Sequence, residues 1–129
     1  MGLYGADLME WLSSAAVARL YGEAGVAPGD VSVAELYDAT SFMTLKSLET
    51  YGLAPPGEAW RHVISNETGL ESPLPVNTHG GFLSEGYIHG MSTITEAVRQ
   101  LRGTACNQVV GASVALVGAS FGSALILGR

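Results

Sequence analysis

The sequence predicts a single α/β domain, and three observations carry that expectation. A chain of 129 residues has the length of one domain, enough to bury a core but too short for two. Apolar residues make up 47% and charged ones only 14%, the composition of a packed interior and not of a disordered segment. Helix-like and strand-like periodicities then follow one another in the order helix, strand, helix, long loop, helix, strand, strand, which is the pattern of an α/β fold.

The elements follow in order. Asp7 and Glu10 form a capping pair, and Met9, Leu12, Ala16 and Leu20 recur on one helical face, so a helix is expected over residues 8–23. Gly25, Pro28 and Gly29 end it. Residues 31–37, with Val31, Val33 and the Leu36–Tyr37 pair, read as a strand that stops at Asp38. Phe42, Leu45, Leu48, Glu49 and Tyr51 suit a second helix, closed by Gly52 before Pro55 and Pro56. Residues 55–75 read mostly as loop.

Residues 75–90 are unusual in composition. They contain Asn77, Thr78, His79, Gly80 and Gly81, then Gly86, Tyr87, Ile88, His89 and Gly90. Thr93 and Glu96 next form a capping box, Ile94, Ala97, Val98 and Leu101 supply an apolar stripe, Arg99 and Arg102 sit in the last turn, and Gly103 closes the helix. A polar glycine loop thus feeds a helix N-terminus, whose unpaired N–H groups and positive dipole end suit an anion or a developing oxyanion. Residues 109–128 lack any charge and are as long as a bilayer-spanning helix. The Val/Ala alternation and Gly111, Gly118 and Gly122 favour instead two short antiparallel strands joined near Ala119 and Ser120. Gly118 and Gly122 do form a GxxxG pair, a weak signal by itself.

Composition also restricts function. A net charge of −6 repels the phosphates of nucleic acids and anionic membrane surfaces. The single cysteine, Cys106, permits neither an internal disulfide nor a cysteine-rich zinc site and is expected to be a small buried hydrophobe. It fits a reducing, cytoplasmic compartment, and Asp7 and Glu10 stand where a signal peptide needs basic and then apolar residues. His79 and His89 lack a suitably spaced third ligand, so no metal is expected. His62, beside Trp60 and Arg61, is expected at the surface.

The run Asn77-Thr78-His79-Gly80-Gly81, the following Gly86-Tyr87-Ile88-His89-Gly90, and Glu96-Ala97-Val98-Arg99-Gln100-Leu101-Arg102-Gly103 closely resemble the C-terminal half of thiolases. The branch is that of lipid-transfer-protein, or sterol-carrier-protein thiolase-like, sequences. Tyr37-Asp38-Ala39-Thr40 falls where thiolases carry Asn-Glu-Ala-Phe or His-Asp-Ala-Phe, so the resemblance spans nearly the whole chain in order. It implies a thiolase-like C-terminal domain, a mixed sheet with helices that forms half of the two-domain thiolase fold. Two departures matter. Thiolases use a Gly-His-Pro motif whose histidine activates the catalytic thiol, and Tyr87 stands there instead. Val117 before Gly118 replaces the second thiolase cysteine. Tyrosines at both the Tyr37 and Tyr87 positions match thiolase-like retro-aldolases that act on side-chain CoA thioesters in steroid degradation. Members of that group work with a partner containing a DUF35-type OB-fold.

The resemblance implies an acyl-CoA thioester substrate, with coenzyme A entering as part of it and no separate cofactor. Tyr37 and Tyr87 would share acid and base roles, helped by His79 or His89. Asn77, His79 and backbone N–H groups near Gly80, Gly81 and Gly90 would hold the enolate oxygen, and Asp38 would orient a group or a water. Each residue has a structural competitor: the tyrosines as packing groups, the glycines as turn formers. Two other readings stay open at this stage: a fragment of a Claisen-type acyltransferase, and a non-catalytic subunit or lipid-transfer protein. Half of a thiolase exposes an apolar face, which implies a homo-oligomer or a complex with an N-terminal thiolase half.

Overall fold

The computed structural model describes residues 12–86, 88–119 and 123–129. In chain order the elements are helix α1 (Ser14–Ala24), strand β1 (Val33–Leu36), helices α2 (Ser41–Thr50), α3 (Ala59–Ile64) and α4 (Met91–Arg102), and strands β2 (Val114–Gly118) and β3 (Ala124–Gly128). The α/β class and the order of the main elements are those expected.

The strands form one mixed sheet in the order β1-β2-β3, with β1 parallel to β2 and β2 antiparallel to β3. Side chains alternate across it and divide the core in two. Ala34, Leu36, Leu116 and Ile126 face Tyr21 of α1 and Leu48 of α2, together with Tyr51 just beyond α2. Val33, Ala115, Val117 and Leu125 face Ala97 and Leu101 of α4. The uncharged stretch over residues 109–128 therefore contains a hairpin, and among the described residues no helix is long and apolar enough to cross a membrane.

β1 is buried along its whole length although it lies at the end of the sheet. Its outer edge is covered by residues 75–77. Ala34 N donates to Pro75 O at 3.0 Å, Asn77 N donates to Ala34 O at 2.9 Å, and Leu36 N donates to Asn77 Oδ1 at 2.6 Å. Asn77 adopts a left-handed φ of 52° to do this, a conformation asparagine tolerates better than most residues.

Several boundaries differ from expectation. α1 begins at Ser14 because Ser13 is extended and its hydroxyl accepts from Ala16 N; the Asp7–Glu10 pair and Met9 lie outside the described residues. Residues 55–75 are mostly loop, as expected, and the short α3 within them is anchored by Ala59, which tucks into the core and whose N–H reaches Glu49 Oε1 at 3.3 Å. The Thr93–Glu96 capping box is not formed. α4 starts three residues earlier, with Gly90 as its cap at φ 83°, and Thr93 Oγ1 donates back to Gly90 O at 2.6 Å. Glu96 faces the interior instead. Cys106 is exposed, not buried, because it falls in the turn between α4 and β2. His62 is half-buried and pairs with Glu67 at 2.7 Å, so it is not a free surface group.

Candidate functional site

Three segments meet at the carboxyl ends of β1 and β2. The first is Tyr37–Asp38, which leaves β1; Tyr37 N donates to Gly118 O at 2.8 Å, so the exit from β1 is still tied to β2. The second is the glycine loop over residues 77–82. The third is the start of α4 at His89 and Gly90, which faces the β2–β3 hairpin.

The first two segments are clamped together. Tyr37 meets Phe82 edge-to-face, with ring centroids 4.8 Å apart. Phe82 N donates to Asp38 Oδ1 at 3.2 Å. Gly81 has φ 73°, and a Cβ there would collide with Asp38 Oδ2. Gly80, at φ 94°, is equally constrained: a Cβ would lie 2.6 Å from Ser84 Oγ, while Ser84 Oγ donates to Gly80 O. Both glycines therefore have a backbone reason to be glycine, besides any role in approaching a ligand. Asn77 spends its Oδ1 on Leu36 N, which leaves its amide group as the part able to serve a substrate oxygen.

His79 projects inward from this loop. Its side chain is 2% exposed, and Nδ1 lies 3.0 Å from Glu35 Oε2, whose side chain is fully buried. The two face each other as an ion pair, out of the alignment of a hydrogen bond, and Nε2 has no hydrogen-bond partner among the described residues. Burial by itself pushes the imidazole down. The Glu35 carboxylate, with Glu85 and Glu96 contributing, outweighs that burial and raises His79 above its ordinary value of 6.5. Beside Glu35 the imidazole therefore holds its proton more tightly than a free histidine does.

Glu35 is in turn held by a network. Thr78 N and Oγ1 both reach Glu35 Oε1, at 3.3 and 2.7 Å, and Thr78 Oγ1 is 2.8 Å from Glu96 Oε1. Gln100 Nε2 contacts Thr78 Oγ1, Glu96 Oε1 and Asn107 O, and Asn107 Nδ2 donates to Thr78 O. The sequence reading missed this cluster. Its signals were an acidic residue inside the apolar run of β1 and the Glu96–Gln100 pair one helical turn apart beside Ala97 and Leu101.

His89 sits apart from His79, exposed and with a left-handed φ of 50°. With Gly90 it lines one side of a cleft of about 190 Å³, bounded by Ile94 and by Val117, Ala119 and Leu125 of the hairpin. Tyr87 lies outside the described residues, as does the tip of the hairpin. Among the described residues no three His, Cys, Asp or Glu side chains are grouped to hold a metal ion.

Set beside known proteins, residues 5–126 match the family model described as thiolase C-terminal domain-like. The chain belongs to that family. Among curated relatives, the thiolase-like chain is 46% identical over 113 residues to a 17-hydroxy-3-oxo-4-pregnene-20-carboxyl-CoA lyase of Mycobacterium tuberculosis, and 43% identical over 113 residues to a steroid side-chain-cleaving aldolase of Thermomonospora curvata. Each alignment covers 85% of this chain and 29% of the relative. Human sterol carrier protein 2 is 34% identical over 109 residues, 81% of this chain and 20% of that one. Among solved structures, an Ltp2-ChsH2(DUF35) aldolase superposes with a TM-score of 0.83 at 41% identity, over 88% of this chain and 30% of the other. The thiolase-like chain spans less than a third of the length of these relatives.

Proposed function

We propose that this chain forms the C-terminal-domain side of an acyl-CoA-processing site, and that the reaction is retro-aldol cleavage of a β-hydroxyacyl-CoA such as a steroid side-chain thioester. The observation that carries the reading is the identity of 46% and 43%, across 85% of the chain, to a carboxyl-CoA lyase and a steroid side-chain-cleaving aldolase. The geometry is compatible with that chemistry. A base removes the β-hydroxyl proton, the Cα–Cβ bond breaks to release a carbonyl product, the electron pair enters the thioester enolate, and an acid protonates Cα.

Tyr37, at the carboxyl end of β1, and Tyr87 share the acid and base work. An unperturbed phenol has a pKa of about 10, so a phenol acting as base needs a positive charge or strong donors beside it, a role this proposal gives to His79 or His89. The Asn77 amide and the N–H groups of the glycine loop serve the enolate oxygen. Asp38 fixes the loop carrying them, and His89 and Gly90 border the cleft beside α4. Coenzyme A enters as part of the substrate. The replacement of the thiolase histidine by Tyr87 favours this cleavage over Claisen thiolysis.

A polypeptide supplying the first thiolase half completes the site in this proposal, with a DUF35-type OB-fold protein as a further partner and self-association as the alternative. Light scattering on this chain, alone and mixed with the product of the adjacent upstream gene, tests it together with a thioester-cleavage assay. A mixed complex that gains activity is the expected result. In that complex Tyr87→Phe should lower turnover by about 10²–10⁴-fold with unfolding unchanged. An inactive complex, or one indifferent to Tyr87→Phe, would overturn the assignment.

A further inference from the structure

Behind the site loop, two carboxyl groups meet on one hydroxyl. Glu35 comes from β1 and Glu96 from α4, and they are 0% and 4% exposed. Thr78 Oγ1 lies 2.7 Å from Glu35 Oε1 and 2.8 Å from Glu96 Oε1. A threonine hydroxyl has one proton, so it can donate to only one of these oxygens. An oxygen–oxygen contact of 2.8 Å needs a proton between the atoms, and the second contact must receive it from the carboxyl side. The Thr78 oxygen has the capacity: Gln100 Nε2, 2.8 Å away, uses one lone pair and leaves the other open. Two ionised carboxylates on one oxygen in so dry a place would also repel each other strongly.

The neighbours decide which carboxyl keeps the proton. Glu35 Oε1 accepts twice from Thr78, from N and from Oγ1, and Glu35 Oε2 faces His79 Nδ1 at 3.0 Å. These are the surroundings of an anion. Glu96 Oε1 also takes Gln100 Nε2 at 3.1 Å, but no ion pair among the described residues joins Glu96 to the imidazole, a lysine or an arginine. The groups facing the cluster are Glu35 from β1, Glu96 and Gln100 from α4, Thr78, His79 and Glu85 from the loop, and Asn107 from the connection to β2.

We propose that Glu96 is a positioning residue that carries a proton at neutral pH, and that the chain Glu96, Thr78, Glu35, His79 holds the site-loop histidine as an imidazolium. The Glu96 acid proton is donated to Thr78 Oγ1, the Thr78 proton to Glu35 Oε1, and the single remaining negative charge on Glu35 faces His79. Proton count and charge balance. Among the groups that raise His79, Glu35 is the largest, and it is the carboxyl this arrangement leaves charged. The assignment of the proton does not depend on the reaction; its catalytic meaning, a protonated histidine held in the site loop, rests on the retro-aldol reading.

The test reads the proton itself. In infrared difference spectra of the full chain as isolated, at neutral pH, the carbonyl stretch of a protonated, solvent-shielded carboxylic acid is expected, and Glu96→Gln should abolish it. Glutamine can donate to Thr78 Oγ1 as the acid does, so the variant should keep its fold and the NMR titration of His79. Glu35→Gln should instead lower the His79 midpoint below that of the wild type. Carbon-13 labelling of glutamate carboxyls in the wild type, with the shifts followed against pH, gives the same answer if either variant fails to fold. Absence of a protonated carboxyl signal at neutral pH, or its survival in Glu96→Gln, overturns the proposal. Loss of thioester cleavage with the signal intact would instead count against the retro-aldol reading.

Discussion

The Asp38 carboxylate occupies the space that a side chain at residue 81 would need. A Cβ on Gly81 would run into Asp38 Oδ2, and the same carboxylate accepts Phe82 N at 3.2 Å. The end of β1 and the glycine loop are therefore shaped against each other, and Tyr37 and Phe82 pack beside that joint.

Gly81→Ala is expected to destabilise the chain by about 1–3 kcal/mol, from the positive φ together with the collision. Urea unfolding measures it. Because the collision is with Asp38, the double change with Asp38→Ala should cost less than the sum of the two single changes. Strict additivity would show that the two residues are not coupled.

A second close approach lies across the sheet. A Cβ at Gly118 would come within 2.6 Å of the Tyr51 ring and 3.0 Å of Leu36 Cδ2. Tyr51 is fully buried, and its carbonyl accepts the Tyr21 hydroxyl at 2.9 Å, so the ring has little room to withdraw. Burial holds both phenols up at about 12, which keeps them neutral across the physiological range. Gly118→Ala should cost about 1–3 kcal/mol by overpacking and should be partly relieved by Tyr51→Leu. A neutral effect in thermal unfolding would contradict this packing.

The His79–Glu35 pair makes stability depend on pH in one direction. The folded value of His79 is raised above 6.5, so the folded protein binds its proton more tightly than the unfolded chain does. The resulting stabilisation is fully present below about pH 6.5 and is lost as pH rises through the folded value. His79→Gln should remove that part of the slope in a series of urea midpoints. A wild-type midpoint that instead rises over this interval by the His79-dependent part would reverse the sign assigned here.

Tyr37→Phe keeps the ring that packs on Phe82 and removes only the hydroxyl. Under the proposed function, turnover in the active complex falls by about 10²–10⁴-fold. The unfolding midpoint should move little. Unchanged kcat/KM would assign Tyr37 to packing alone.

The sequence by itself determined the α/β class, the order of the main elements and the family. These depend on local signals: periodicity within each helix and strand, glycines such as Gly25 and Gly103 at helix ends, and short motifs such as residues 77–81. Where prediction and structure part, the cause is tertiary. Thr93 and Glu96 have the spacing of a capping box, but Gly90 starts the helix earlier and Glu96 turns inward to meet Thr78. Asn77, read as an oxyanion donor, commits its carbonyl oxygen to the edge of β1, to a residue 41 positions earlier in the chain. Glu35 drew no notice, because a carboxyl within an apolar strand gains meaning only when His79 and Thr78 are folded against it. Local sequence encodes where the backbone turns and which face is apolar. Which buried polar groups find each other is decided by the docking of α4 and the glycine loop onto β1, since such groups are tolerated only when distant partners satisfy them.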